Sequence, residues 1–249
     1  MAVVFLVFTL AAWNTVTLAG HMGMLMRMAN GQMISTVWMH TPGDSWIAGG
    51  AAFAAMWGAM MLAMMLPSMW PTISSFRRVA LAHGESGVNW LSLVMVSAYF
   101  LVWLAFGILA YGAGEAFCTA AMSSPAIERA IPVAAAASLA IAGFYQLTPW
   151  KTECLMHCRD PLHFVTHRPG GGWREAVRLG IAQGERCVAC CWGLMLMQLV
   201  LGMASLPLMI GIAIVIAAEK LLPEPAIVAR GIGLAAVGVS VMLALGIGI

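Results

Sequence analysis

Charge is what this sequence has least of. Lys, Arg, Asp and Glu together supply 9% of its 249 residues, whereas 62% are hydrophobic. A soluble domain carries about 25% charged residues to cover its water-facing surface, so a soluble globular fold is excluded. Disorder is excluded as well, because it requires low hydrophobicity and high net charge, and the net charge here is only +2. So small a balance, with no basic run interleaved with aromatics, also argues against nucleic acid as a partner. Catalytic patterns are missing too. No Ser–His–Asp arrangement, Walker loop, dinucleotide fingerprint or carboxylate pair occurs, which leaves no enzyme motif.

What remains are long apolar runs. A bilayer core is crossed by about 20 apolar residues, and such runs predict helices over 3–20, 47–66, 90–113, 131–148, 187–204, 206–222 and 228–248. The expected fold is all-α, a polytopic transmembrane bundle of about seven helices forming a single integral membrane domain over residues 1–249. Pro207 and Gly211 interrupt the sixth run, so six helices is the lower bound. Residues 1–20 also fit a signal peptide, but they lack a basic start and Thr17-Leu18-Ala19-Gly20 is a poor cleavage site, so a first membrane helix is expected. No internal repeat supports an inverted-repeat transporter.

Lys and Arg set the orientation. Arg77, Arg78, Lys151, Arg159, Arg168, Arg174, Arg178, Arg186, Lys220 and Arg230 lie in or beside alternate connections, against only Arg27 and Arg129 in the others. The positive-inside rule puts the first group in the cytoplasm. The expected location is therefore a bacterial inner membrane, crossed several times, with the Cys- and His-bearing loop 149–186 cytoplasmic. Within that loop Thr148-Pro149 reads as a helix start, Thr148 as N-cap and Pro149 as first helical residue. Arg168-Pro169-Gly170-Gly171-Gly172 reads as a turn between two short halves.

Sulfur is concentrated rather than scattered. Five of six cysteines fall between 154 and 191: Cys154 and Cys158 flank His157, and Cys187, Cys190 and Cys191 enter the fifth helix. Residues 187, 190 and 191 share one helical face, continued by Leu194, Met195 and Gln198. A hairpin could gather these thiols, the imidazole and a thioether into one site, and soft sulfur ligands select Cu(I), Zn or iron–sulfur clusters. Packing alone is the competing explanation, and it suffices for isolated Cys118. Disulfides are disfavoured on a reducing side, and a redox Cys-x2-Cys lacks its usual βαβ setting.

Two methionine groups complete the picture. Met22, Met24, Met26 and Met28 alternate after His21 in an external loop, with Met33, Met39 and His40 beyond, and suggest a thioether site for Cu(I); a merely apolar or amphipathic segment is the alternative. Met56, Met60, Met61, Met64, Met65 and Met69 cover about half of the second helix, a breadth that favours ordinary packing over a ligand ladder. Gln146 and Gln198 are expected to face the bundle, Asn14 to bond between helices, and Glu219-Lys220 to pair or to snorkel toward the interface.

Several of these segments together resemble a bacterial family of predicted metal-binding integral membrane proteins. The resemblance runs through Met56-Trp57-x2-Met60-Met61-x-Ala63-Met64-Met65-Leu66-Pro67-Ser68 and Tyr145-Gln146-Leu147-Thr148-Pro149-x-Lys151. It continues in Cys154-Leu155-x2-Cys158-Arg159-x-Pro161-Leu162, Gly184-x2-Cys187-x2-Cys190-Cys191-Trp192-x-Leu194-Met195 and Glu219-Lys220-Leu221-x-Pro223. Gln183 stands where the family pattern has His, and Ala189 where it has Gly. The resemblance implies a helical membrane protein with a metal site. The reading is then a copper-handling or transport protein, Cu(I) favoured over Zn, with Cys154, Cys158, Cys187, Cys190, Cys191 and His157 as the cytoplasmic ligands and Met22, Met24, Met26 and Met28 as the external ones. Its partners would be the lipid bilayer and a soluble metallochaperone or membrane enzyme. A non-transporting scaffold or metalloenzyme-assembly factor, and a membrane thiol oxidoreductase using Cys187 and Cys190, are the alternatives.

Overall fold

The computed structural model describes residues 25–27, 33–35, 45–159, 172–202 and 205–246. Seven helices occur among them: α1 Trp46–Ala82, α2 Val88–Ser123, α3 Pro125–Leu147, α4 Pro149–Arg159, α5 Trp173–Gly202, α6 Leu206–Leu221 and α7 Pro225–Ala244. Five of these, α1, α2, α3, α5 and α7, are long and apolar enough to cross a membrane. The all-α reading holds for the bundle, and α6, with 16 residues, is short as expected. The proposed first helix over 3–20 lies outside the described residues, as does Asn14.

Two short strands, β1 Leu25–Arg27 and β2 Met33–Ser35, pair antiparallel with Met26 opposite Ile34. The sequence predicts a loop around Leu25–Arg27, and its pairing with Met33–Ser35 makes it a strand instead.

Helix boundaries differ most where polar residues interrupt the apolar run. At 37 and 36 residues, α1 and α2 are each about 55 Å long, well beyond the about 30 Å hydrocarbon core of a bilayer. The start of α5 lies at Trp173 rather than 187. Ala176, Leu179, Gly180, Gln183 and Gly184 bury one face at helical spacing, and that amphipathic first half is invisible to a hydropathy window. Ser45 caps α1 by accepting the Ala48 N–H at 3.3 Å, and Pro125 and Pro225 occupy the first turns of α3 and α7, where a missing N–H costs nothing.

Glycines fix how close the helices come. Gly143 on α3 and Gly233 on α7 face each other, and a Cβ on either would lie 2.9 Å from the other's carbonyl oxygen. On α5, Gly180 and Gly184 sit against Met95, Ala98, Tyr99 and Val102 of α2, so the two backbones nearly touch. This contact carries the α5 cysteines up to Tyr99. Gly180→Ala would drive a methyl group into the Met95 carbonyl, and overpacking of that kind costs about 1–3 kcal/mol. The thermal unfolding midpoint in detergent should fall accordingly. Gly231→Ala, whose added Cβ meets open space, should not lower it.

The methionines of α1 all point inward: Met56, Met60, Met61, Met64, Met65 and Met69 are buried in the core with Trp57 and Trp103.

Candidate metal centre

The site is built on α4, a short helix packed against the middle of α5 and the C-terminal end of α6. Thr148 starts it as expected, its Oγ1 accepting the Lys151 N–H at 3.3 Å. Lys151 is fully buried, and its Nζ donates to the Cys190 carbonyl at 2.5 Å and pairs with Glu219 at 2.7 Å. Gln146 Nε2 reaches the other Glu219 oxygen at 3.4 Å, and Arg159 donates to the Glu219 carbonyl at 3.3 Å. A buried charge survives only when paired and hydrogen-bonded, and this network meets that condition while clamping α3, α4, α5 and α6 together. Glu219 therefore pairs with Lys151, where the sequence suggested Lys220 or the interface.

With α4 so held, Cys158 turns inward against α5. The sulfurs of Cys158, Cys187 and Cys190 lie within 4.8 Å of one another, all three buried. Cys191 adds a fourth sulfur 3.3 Å from that of Cys190. On the other side, the Met65 thioether stands 4.0 Å from the Cys187 sulfur. Tyr99 Oη and Lys220 Nζ each donate to that same sulfur at 3.0 Å, and Lys220 also reaches Ser68 Oγ at 3.2 Å. Gln183 Nε2 lies 3.8 Å from the Cys158 sulfur, and its Oε1 has no hydrogen-bond partner.

Metal–sulfur bonds of about 2.3 Å in a trigonal site separate the sulfurs by about 4.0 Å. The trio needs only a small contraction to meet that spacing, so these residues fit a soft cation. Among the described residues this is the one group of three or more Cys, His, Asp or Glu side chains that converges on such a point.

Cys158 and Lys151 on α4 respond to this crowding. The Cys158 thiol is pushed up to about 11, first by sharing its proton with the Cys187 sulfur and further by burial, which together outweigh the opposite pull of Cys190. Burial alone would draw the Lys151 ammonium downward, but the Cys191 sulfur and the Glu219 carboxylate outweigh it and hold its pKa above the ordinary lysine value. A cation entering the trio must therefore displace a proton from Cys158.

Not every sequence candidate joins the cluster. Cys154 is half-buried on the flank of α4, against the core but outside the trio. His157 is exposed, with Nδ1 2.8 Å from the Glu153 carbonyl oxygen. Met26 lies in β1, and Met22, Met24 and Met28 fall outside the described residues. Cys118 stands alone and buried in α2, as packing alone explains. Sequence reasoning missed Tyr99, Lys220 and Met65 at the site. The family-like pattern around Met65-Leu66-Pro67-Ser68 and Glu219-Lys220 hinted at Met65 and Lys220, and no sequence signal pointed to Tyr99.

A family model described as PpoB2, copper chaperone, matches residues 54–243. That span covers most of the chain and every residue of the sulfur cluster, so the chain belongs to this family, consistent with the metal-related family its motifs resemble. No curated protein matches the chain, and neither does any solved structure.

Proposed function

We propose that this member of the copper chaperone family is a multi-pass protein of the bacterial inner membrane that binds Cu(I) as cargo between Cys158, Cys187 and Cys190 and passes it on. One observation carries the reading: three buried thiol sulfurs converge within 4.8 Å in a bundle whose long helices suit a bilayer. Cu(I) is favoured over Zn because the nearest additional ligands are the Cys191 sulfur and the Met65 thioether, while the nearby carboxylate of Glu219 is committed to Lys151. Lys220 supplies a compensating positive charge, so Cu(I) held by three thiolates, net −2 by itself, is brought to −1 by the ammonium beside it. Cys154, His157, Met22, Met24, Met26 and Met28 are proposed as entry or exit ligands.

The cytoplasmic placement of 149–186 rests on the ten-to-two distribution of Lys and Arg. A soluble metallochaperone or a membrane enzyme would exchange the ion at that face. Elemental analysis of protein purified from copper-supplemented cells should find about one copper per chain, as a single trigonal sulfur site requires. Substoichiometric copper together with substoichiometric zinc would sink the reading. Copper flux into proteoliposomes separates a transporter from a protein that only holds the ion.

A further inference from the structure

The methionines of α1 do more than fill space at one point. Gln198 of α5 is 1% exposed, and its Nε2 donates to the Met60 thioether at 3.1 Å, while its Oε1 has no hydrogen-bond partner. A thioether is a weak acceptor, so this buried amide spends its donor poorly and its acceptor not at all. Rotating the amide by half a turn exchanges oxygen and nitrogen and brings both a carbonyl oxygen and a thioether to the same spot. Around this pair α1 and α5 scarcely approach within 8 Å at their Cα atoms, and side chains bridge the gap.

The pair is also in line with the thiols. Gln198 lies seven residues beyond Cys191, about 10 Å further along α5, and Met195 is one turn beyond Cys191 on the way. On α1, Met61 is one turn from Met65, the thioether that touches Cys187, and adjoins Met60. Met61, Met65 and Met195 are each buried.

We propose that Met60 and Gln198 form a second, deeper station for a soft monovalent cation, Cu(I) or Ag(I), reached from the thiol cluster past Met65, Met61 and Met195. The station rests on the copper reading above but has its own ligands. Thioether and amide need no deprotonation, so it holds the ion weakly and independently of pH, as transit requires.

The test titrates Ag(I) into the full chain in detergent micelles at mildly acidic pH and compares variants. Replacing Cys158, Cys187 and Cys190 together by Ser should leave about one Ag(I) fewer than in the native chain, and adding Met60→Leu and Gln198→Leu should remove about one more. Binding to the folded triple variant that survives Met60→Leu and Gln198→Leu unchanged overturns the station. Should the triple variant not fold, Met60→Leu/Gln198→Leu in the otherwise native chain is read instead. Loss of about one Ag(I) supports the station and an unchanged count overturns it. A triple variant with native stoichiometry would sink the thiol cluster, a separate outcome from failure of the station.

Discussion

Cys187→Ala should abolish most of the tightly bound copper while leaving the protein folded. Cys187 sits at the centre of the cluster, touched by Tyr99, Lys220 and Met65 as well as by its fellow thiols. Loss of a mere supporting partner weakens metal sites by about 10–100-fold, so loss of a central ligand should exceed that. The packing cost of removing one sulfur is of the order of 1 kcal/mol, too little to unfold the chain. Cys158→Ala and Cys190→Ala should behave alike, and Cys118→Ala, remote from the cluster, should leave metal content unchanged. Cys154→Ala should fall between, since its sulfur lies outside the trio. Competition with a chelator measures all of these. The same assay has a pH arm. Below about 11 Cys158 carries its proton, so binding releases it, and affinity should fall about tenfold for each unit by which the pH is lowered, per proton displaced. Metal retained in full by all three alanine variants would rule the cluster out.

Lys151→Met should be the most destabilising single substitution in the site. It strands the Glu219 carboxylate, 1% exposed, without its 2.7 Å partner. Breaking one side of a buried pair costs about 3–5 kcal/mol, because the remaining charge is uncompensated. The lysine also holds the Cys190 carbonyl, so metal affinity should fall with stability. Lys151→Met/Glu219→Gln removes both charges and should recover most of the loss. Thermal unfolding of the native chain, Lys151→Met, Glu219→Gln and the double variant in detergent gives the coupling directly. Equal destabilisation of the single and double variants would show that charge pairing is not what holds α4 down.

The helices were legible because bilayer-length apolar runs have few alternatives, and the α4 start was legible because Thr148-Pro149 is a local signal. Cys187, Cys190 and Cys191 could be placed together for the same reason, since helical periodicity puts them on one face. What could not be read was anything decided between helices. Cys154 and Cys158 are equivalent by spacing, yet the Lys151 clamp turns Cys158 inward and leaves Cys154 on the flank. Glu219 and Lys220 are neighbours that looked like one pair. In the bundle they separate, Glu219 to Lys151 and Lys220 to Cys187. Gln146 and Gln198 face inward as the cost of a lipid-exposed amide demands, but their partners on other helices are not written locally. The early start of α5 was hidden because its first half is amphipathic.

The burial of the thiol trio also bears on oxidation chemistry. Sulfenic acid forms when peroxide reaches a thiolate, and susceptibility follows exposure. Cys187 and Cys190 are completely enclosed and Cys158 is 7% exposed, so peroxide and bulky disulfides have no direct approach to them. Half-buried Cys154 is the more open of the clustered thiols. Under oxidative stress it would be modified first, sparing the sulfurs of the buried trio. The same enclosure disfavours a thiol oxidoreductase, whose attacking sulfur must meet a substrate disulfide in the open.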